Sequence, residues 1–158
     1  MKLMKYFMLL VAAAGFMSAC ESDLEKIQTL PEDKVVAPVL HSLAVSEVDI
    51  TSDTTSSKFV VEWDAADFGE SILFSTDILL SCNDAEVAIV TGLDKNVTSY
   101  EIVYSAIKSL ASKGVNEGGL GIAADTATDV KLRLSSKVGS TGTVLYSDYA
   151  TFKLKYAN

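Results

Sequence analysis

From Ala37 onward, hydrophobic and polar residues alternate with a period of two over most of the chain, the mark of half-buried β-strands. The pattern is clearest at residues 58–63, where Phe59, Val61 and Trp63 share one face. Residues 71–81 put Ile72, Phe74, Thr76, Ile78 and Leu80 on one side, and Cys82 continues that side. Val130, Leu132 and Leu134 alternate with Lys131 and Arg133, and Ala150, Phe152, Leu154 and Tyr156 alternate with Lys153 and Lys155. Shorter candidates lie at residues 38–45, opened by Pro38 where proline is tolerated, at 87–91 and at 100–103. Polar or glycine-bearing turns separate them at 51–57, 64–69, 83–84, 94–99 and 139–142. One segment changes period. Tyr104, Ile107, Leu110 and Ala111 recur at three- and four-residue spacing, with Lys108 and Lys113 toward the end and Gly114 following, which predicts a short amphipathic helix with a glycine stop. Residues 116–125 carry Gly118, Gly119 and Gly121 and read as a mobile loop. About seven short strands divided by polar turns predict an all-β fold, a β-sandwich with one short helix, a barrel being the alternative.

The N-terminal pattern is different. Lys2 and Lys5 precede an uncharged apolar run from Tyr6 to Phe16, which closes on Met17-Ser18-Ala19-Cys20. Charged, apolar and small-residue regions in that order predict a signal peptide. The run is too short to span a bilayer, which needs about 20 apolar residues. Ser18-Ala19-Cys20 resembles the bacterial lipobox, with Met17 where leucine is usual; the resemblance implies cleavage before Cys20 and lipidation of its sulfur, a stable tether when several acyl chains are attached. The residues behind it, Glu21, Ser22, Asp23, Leu24 and Glu25, resemble the export signal of Bacteroidota surface lipoproteins, an ordinary acidic linker being the other reading. The expected organisation is a signal peptide at 1–19, the lipidated cysteine and a flexible stalk broken by Pro31 at 20–36, and one sandwich at 37–158.

Charge and chemistry narrow the function classes. The 158 residues hold 21 acidic and 13 basic side chains, a net charge of −8, and loss of the segment with Lys2 and Lys5 makes it two units more negative. That balance disfavours nucleic acid and anionic head groups as partners. With Cys20 given to lipid, Cys82 is alone and is expected as a buried thiol. The single histidine, His41, excludes a multi-histidine metal site, and neither metal nor cofactor is expected. Asp64, Asp67 and Glu70 cluster at one turn and Asp49 and Asp53 at another, but neither spacing fits a calcium loop, and both read as solvated acidic loops in preference to an acid–base pair. Gly118-Gly119-Leu120-Gly121 follows a helix instead of opening one, so it lacks the setting of a dinucleotide loop, and no enzyme is expected. Trp63 is expected in the core. Phe68, Tyr100, Tyr146 and Tyr149 lie at turns or strand ends, as rim residues closing the core or as exposed aromatic contacts. Asn96-Val97-Thr98 is a chance match to the eukaryotic glycosylation triplet, whereas Asp53-Thr54-Thr55 and Asp125-Thr126-Ala127 resemble the Bacteroidota O-glycosylation signal, making Thr54 and Thr126 candidate acceptors.

Several segments in order resemble one family. They are the lipobox with its acidic follow-on, Ala37-Pro38-Val39-Leu40, residues 59–67, Ser99-Tyr100-Glu101-Ile102 with the helix, residues 129–134, and Ser147-Asp148-Tyr149-Ala150-Thr151-Phe152. Together they resemble the N-terminal immunoglobulin-like domain of the SusE-type outer-membrane lipoproteins of Bacteroidota polysaccharide-utilisation systems. The resemblance implies a non-catalytic accessory of a polysaccharide capture and uptake system, anchored in the outer membrane and facing out. It would act as a spacer or docking domain, with a SusC/SusD-like complex or a surface polysaccharide as partner. The family's glycan-binding residues lie in later domains and have no counterpart before Asn158. Strands resembling 58–63 and 130–134 also occur in fibronectin III domains, where the second usually begins with the tyrosine of a tyrosine corner; here that position is Val130. The alternative is a structural surface module, an adhesin or filament subunit built through its edge strands.

Overall fold

A computed structural model describes residues 30, 31, 33–69 and 71–158. The elements are β1 (Val39–Leu40), β2 (Glu47–Ile50), β3 (Lys58–Asp64), β4 (Ser75–Cys82), β5 (Ala85–Asp94), β6 (Ser99–Val103), helix α1 (Tyr104–Ser112), a 3-10 turn (Val115–Glu117), β7 (Thr128–Lys137), β8 (Val144–Tyr146) and β9 (Ala150–Tyr156). Two sheets form, one in the order β1-β3-β6 and one in the order β2-β9-β7-β4-β5, with β8 also on β7. β2 runs parallel to β9. Every other pairing between these strands is antiparallel. The expected sandwich is therefore the observed one.

The alternating faces meet in a single core. Phe59, Val61 and Trp63 of β3 pack with Ile78 and Leu80 of β4, Val130, Leu132 and Leu134 of β7, and Phe152, Leu154 and Tyr156 of β9. The Phe59 ring lies edge-on to Phe152 at 5.9 Å, a direct contact between the sheets. Thr76 and Ser136 are buried as well, and each satisfies the other through a 2.8 Å hydroxyl–hydroxyl bond. Val48 and Ile50 of β2 enter the same core. The expected opening strand at 38–45 is thus shorter and divided. The chain leaves the first sheet after Leu40 and joins the second at Glu47.

The helix lies where expected but ends differently. Gly114 has φ −63°, so no left-handed glycine stops it, and no basic residue occupies its last turn. Instead its orphan carbonyls are taken by the glycine-rich segment. The Leu120 N–H donates to Leu110 O at 2.9 Å and the Ile122 N–H to Ala111 O at 2.9 Å, while the Gly121 N–H reaches Lys113 O just past the helix at 2.8 Å. Leu120 and Ile122 are buried in the core, and the Tyr156 hydroxyl donates to Ile122 O at 2.7 Å. The loop read as mobile is therefore a packed cap. Its glycines have separate tasks: Gly118 and Gly121 hold φ of 76° and 61°, and Gly119 passes where a Cβ would sit 2.3 Å from Lys113 O.

A smaller cluster of Ala66, Phe68 and Ile72 closes one end of the sandwich, with Val35, Phe74, Val138 and Leu145 against it. Leu30, Val35 and Val36 meet the body here. The Leu30 N–H donates to Phe68 O, and Val36 and Asp67 exchange two backbone bonds of 2.9 Å. Ile72 and Phe74, expected on the β4 strand, belong to this cluster, because β4 begins only at Ser75.

Gly119→Ala should cost about 3 kcal/mol in urea unfolding, because backbone surrounds the missing Cβ. Gly92→Ala, at φ +74° with open space around it, should cost about 1 kcal/mol. Equal losses would show that close approach at Gly119 is not what matters.

Candidate functional site

The strongest chemical cluster lies on the solvent face of the larger sheet, and β7 builds it. One edge of β7 pairs with β4. The other edge is shared, Thr128 to Leu132 with β9 and Ser135 to Lys137 with β8. Ser147 is the joint. Its hydroxyl accepts the Leu134 N–H at 2.9 Å and donates to Asp148 O at 2.8 Å, and its own N–H reaches Leu134 O. Tyr146 before this joint and Tyr149 after it both bring their rings against Arg133.

Arg133 is held from three directions. Its guanidinium carbon lies 4.0 Å from the Tyr146 ring centroid and 4.9 Å from that of Tyr149. Its Nε and Nη2 donate to the two oxygens of Glu86 at 2.9 and 2.7 Å, a bidentate pair that reaches across β4 to β5. The Tyr149 hydroxyl donates to Glu86 at 3.3 Å. The bond to Glu86 is the main reason that the guanidinium holds its proton more tightly than usual, against a smaller desolvation effect. The rings remain open to solvent, with Tyr146 46 % and Tyr149 48 % exposed. Beside them Lys131 stands 5.6 Å from the Tyr149 centroid, and Asp129 accepts from Lys153 at 2.9 Å.

An open cavity of about 330 Å³ adjoins this cluster, between the β4–β5 turn, β7 and Tyr149. Asn83 and Asp84 form the two-residue turn between paired Cys82 and Ala85, with Asn83 at φ 52°. Cys82 is a buried thiol, free among the described residues, at the edge of the cavity. Burial pushes its pKa up from the ordinary value; the Asn83 backbone hydrogen bond opposes the rise and the Asp129 carboxylate adds to it.

The other expected site residues are scattered. Cys20, Glu21, Ser22, Asp23 and Glu25 lie outside the described residues. Thr54 is half-buried, and its hydroxyl is engaged, accepting the Thr51 N–H at 2.7 Å and donating to Asp49 O at 3.0 Å. Thr126 is exposed on the approach to β7. Asp64 meets His41 at 3.1 Å, and Asp67 accepts the Gly69 N–H within its own turn. Among the described residues no three His, Cys, Asp or Glu side chains group as a metal site. Trp63 is 2 % exposed and offers no platform, and Phe68, at 2 %, is a core residue. The Arg133–Glu86 link had no signal in the sequence, since the two are 47 positions apart and the strand order alone brings them together. No protein-family model, curated protein or solved structure matches the chain.

Glu86→Gln should cost about 1 kcal/mol at low ionic strength, and the loss should shrink as salt is added. An unchanged urea midpoint would mean that the two rings hold Arg133 unaided. Cys82 carries a pH prediction. Its pKa is higher folded than unfolded, so its contribution to stability is complete below the ordinary thiol value of about 8.5 and is lost as pH rises through the raised value. Alkylation followed on the Cys82 peptide should be about tenfold slower in the native chain than in urea. Equal rates would refute the burial.

Proposed function

We propose that the chain is a non-catalytic, lipid-anchored module of the outer cell surface that works beside a polysaccharide capture and uptake system as a docking domain. The single observation behind this reading is the Tyr146–Arg133–Tyr149–Glu86 cluster. Tyrosine and arginine dominate the residues that carry binding energy at protein interfaces, and they do so best when rigid and partly desolvated. Here two half-exposed rings and a bidentate ion pair fix an arginine on the outer face of the larger sheet before any partner arrives. Such preorganisation lowers the entropy lost on association. The signal-like N-terminus with Cys20 supplies the anchor in this reading, and the acidic surface suits an aqueous exterior.

One feature favours the second reading, a structural subunit. β5 is a ten-residue edge strand with one side unpaired among the described residues, and it has no charge from Val87 to Leu93. Such an edge invites pairing with another chain. Two irregularities in its register with β4 work against a flat join.

Cys20→Ala should abolish incorporation of labelled fatty acid and release the protein from outer membranes. Capture of the wild-type chain from those membranes should co-purify a transporter-complex protein, and Arg133→Glu should reduce that recovery about tenfold. Capture of no such partner, together with polymers in size-exclusion and microscopy, would favour the structural subunit.

A further inference from the structure

We infer that the end of the sandwich built around Phe68 rests on a lipid bilayer of neutral head groups, with Leu73 and an open apolar cavity at the boundary of the acyl chains. This contact rests on the proposed anchor at Cys20 and adds to it a surface and its partner. The cavity holds about 550 Å³, and Leu30, Pro31, Val35, Phe68 and Val138 supply its apolar wall. Among the described residues no ionisable side chain lines it. The cavity beside Tyr149, by contrast, is lined by Asp84, Glu86, Asp129, Lys131 and Arg133. Of the two, only the Phe68 cavity suits hydrocarbon, because an unpaired charge there would resist transfer out of water.

Position selects the occupant. Ser75 of β4 pairs with both Asp94 of β5 and Lys137 of β7, and Phe68, Phe74 and Val138 share one cluster. The turns that follow β3, β5 and β7 therefore lie at the same end. The chain also enters the body there. The Leu30 N–H donates to Phe68 O at 3.2 Å, and Val36 and Asp67 exchange two backbone bonds, which fixes the entry point beside the cavity. Cys20 lies ten positions before Leu30. Ten fully extended peptide units reach at most about 36 Å, so a lipid on Cys20 holds this end within that distance of the bilayer. The opposite end, with α1 and the Asn83-Asp84 turn, lies a strand length further from the entry point, about 26 Å for the eight residues of β4. A tether this short makes contact intramolecular, at an effective concentration on the order of 1 mM, so a modest apolar contact is enough.

Leu73 supplies that contact. It is 75 % exposed, more than any other large apolar side chain described. A single exposed leucine is ordinary on a protein surface. This one stands between Ile72 and Phe74, both packed in the Phe68 cluster, so the body presents it rigidly at the tethered end. Moving a leucine side chain from water into hydrocarbon favours the docked over the free domain by about tenfold or more. Head groups without net charge fit the rest of the surface, because the chain's net charge of −8 is repelled by an anionic bilayer.

The test places the full chain, as isolated from membranes, in phosphatidylcholine nanodiscs that carry a spin label on the lipid acyl chains. Lipid on Cys20 is scored separately by fatty-acid labelling. Amide signals of residues 71–74 and 138–143 should be broadened by the label, and those of 81–86 and 104–117 should not. Leu73→Ser should lower the ratio of docked to free domains about tenfold. Val115→Ser, at an exposed valine just past α1, should leave the broadening unchanged. Lipid on Cys20 with broadening absent, confined to the opposite end or insensitive to Leu73→Ser would overturn the contact and leave the anchor standing. Broadening that follows protein concentration and not the spin label would assign this end to a second copy of the chain and overturn the lipid contact. Absence of lipid on Cys20 would overturn the anchored reading, and this contact with it.

Discussion

The fold depends on how a nine-residue helix is closed at both ends without capping side chains. A helix that short is unstable alone, and its unpaired end groups must find partners. At the N-terminal end the Tyr104 and Ser105 N–H groups donate to Ser57 O and Thr55 O, carbonyls of the loop before β3. At the C-terminal end the amides of Leu120 and Ile122 return to Leu110 and Ala111. Each bond is worth only about 1 kcal/mol net, but leaving the groups buried and unpaired costs more. Satisfying them also drives Leu120 and Ile122 into the core. The last tie is Tyr156, whose phenol holds Ile122 O from the final strand. A tyrosine–backbone bond from the last strand thus steadies the entry to β7.

From that fixed entry the chain passes Asp125, whose N–H donates to Tyr156 O, and runs into β7. β7 lies between β4 and β9 in the larger sheet, so its outward residues inherit the rigidity of the core beneath them. Val130, Leu132 and Leu134 are fully buried, and the alternation that buries them turns Lys131 and Arg133 outward. Ser147 then spaces two tyrosines around Arg133. The surface cluster is an outcome of strand order and one serine joint; no local motif encodes it.

This explains what was legible in the sequence. Strands with long strict alternation, such as Phe59-Val60-Val61-Glu62-Trp63, were readable because burial on one face writes the period directly. β2 carries the same signal in Glu47-Val48-Asp49-Ile50, but over four residues it is easily lost beside a polar loop. The glycine-rich segment reads as mobile in the sequence because glycine serves both flexibility and tight fit. Only the three-dimensional setting shows that Gly119 is there to admit backbone oxygens. The polar turn around Phe68 points to a rim aromatic, yet a second cluster buries it. Tyr146 and Tyr149 were readable as strand-end aromatics, but their clasp on Arg133 needs the pairing of β7 with β8 and β9.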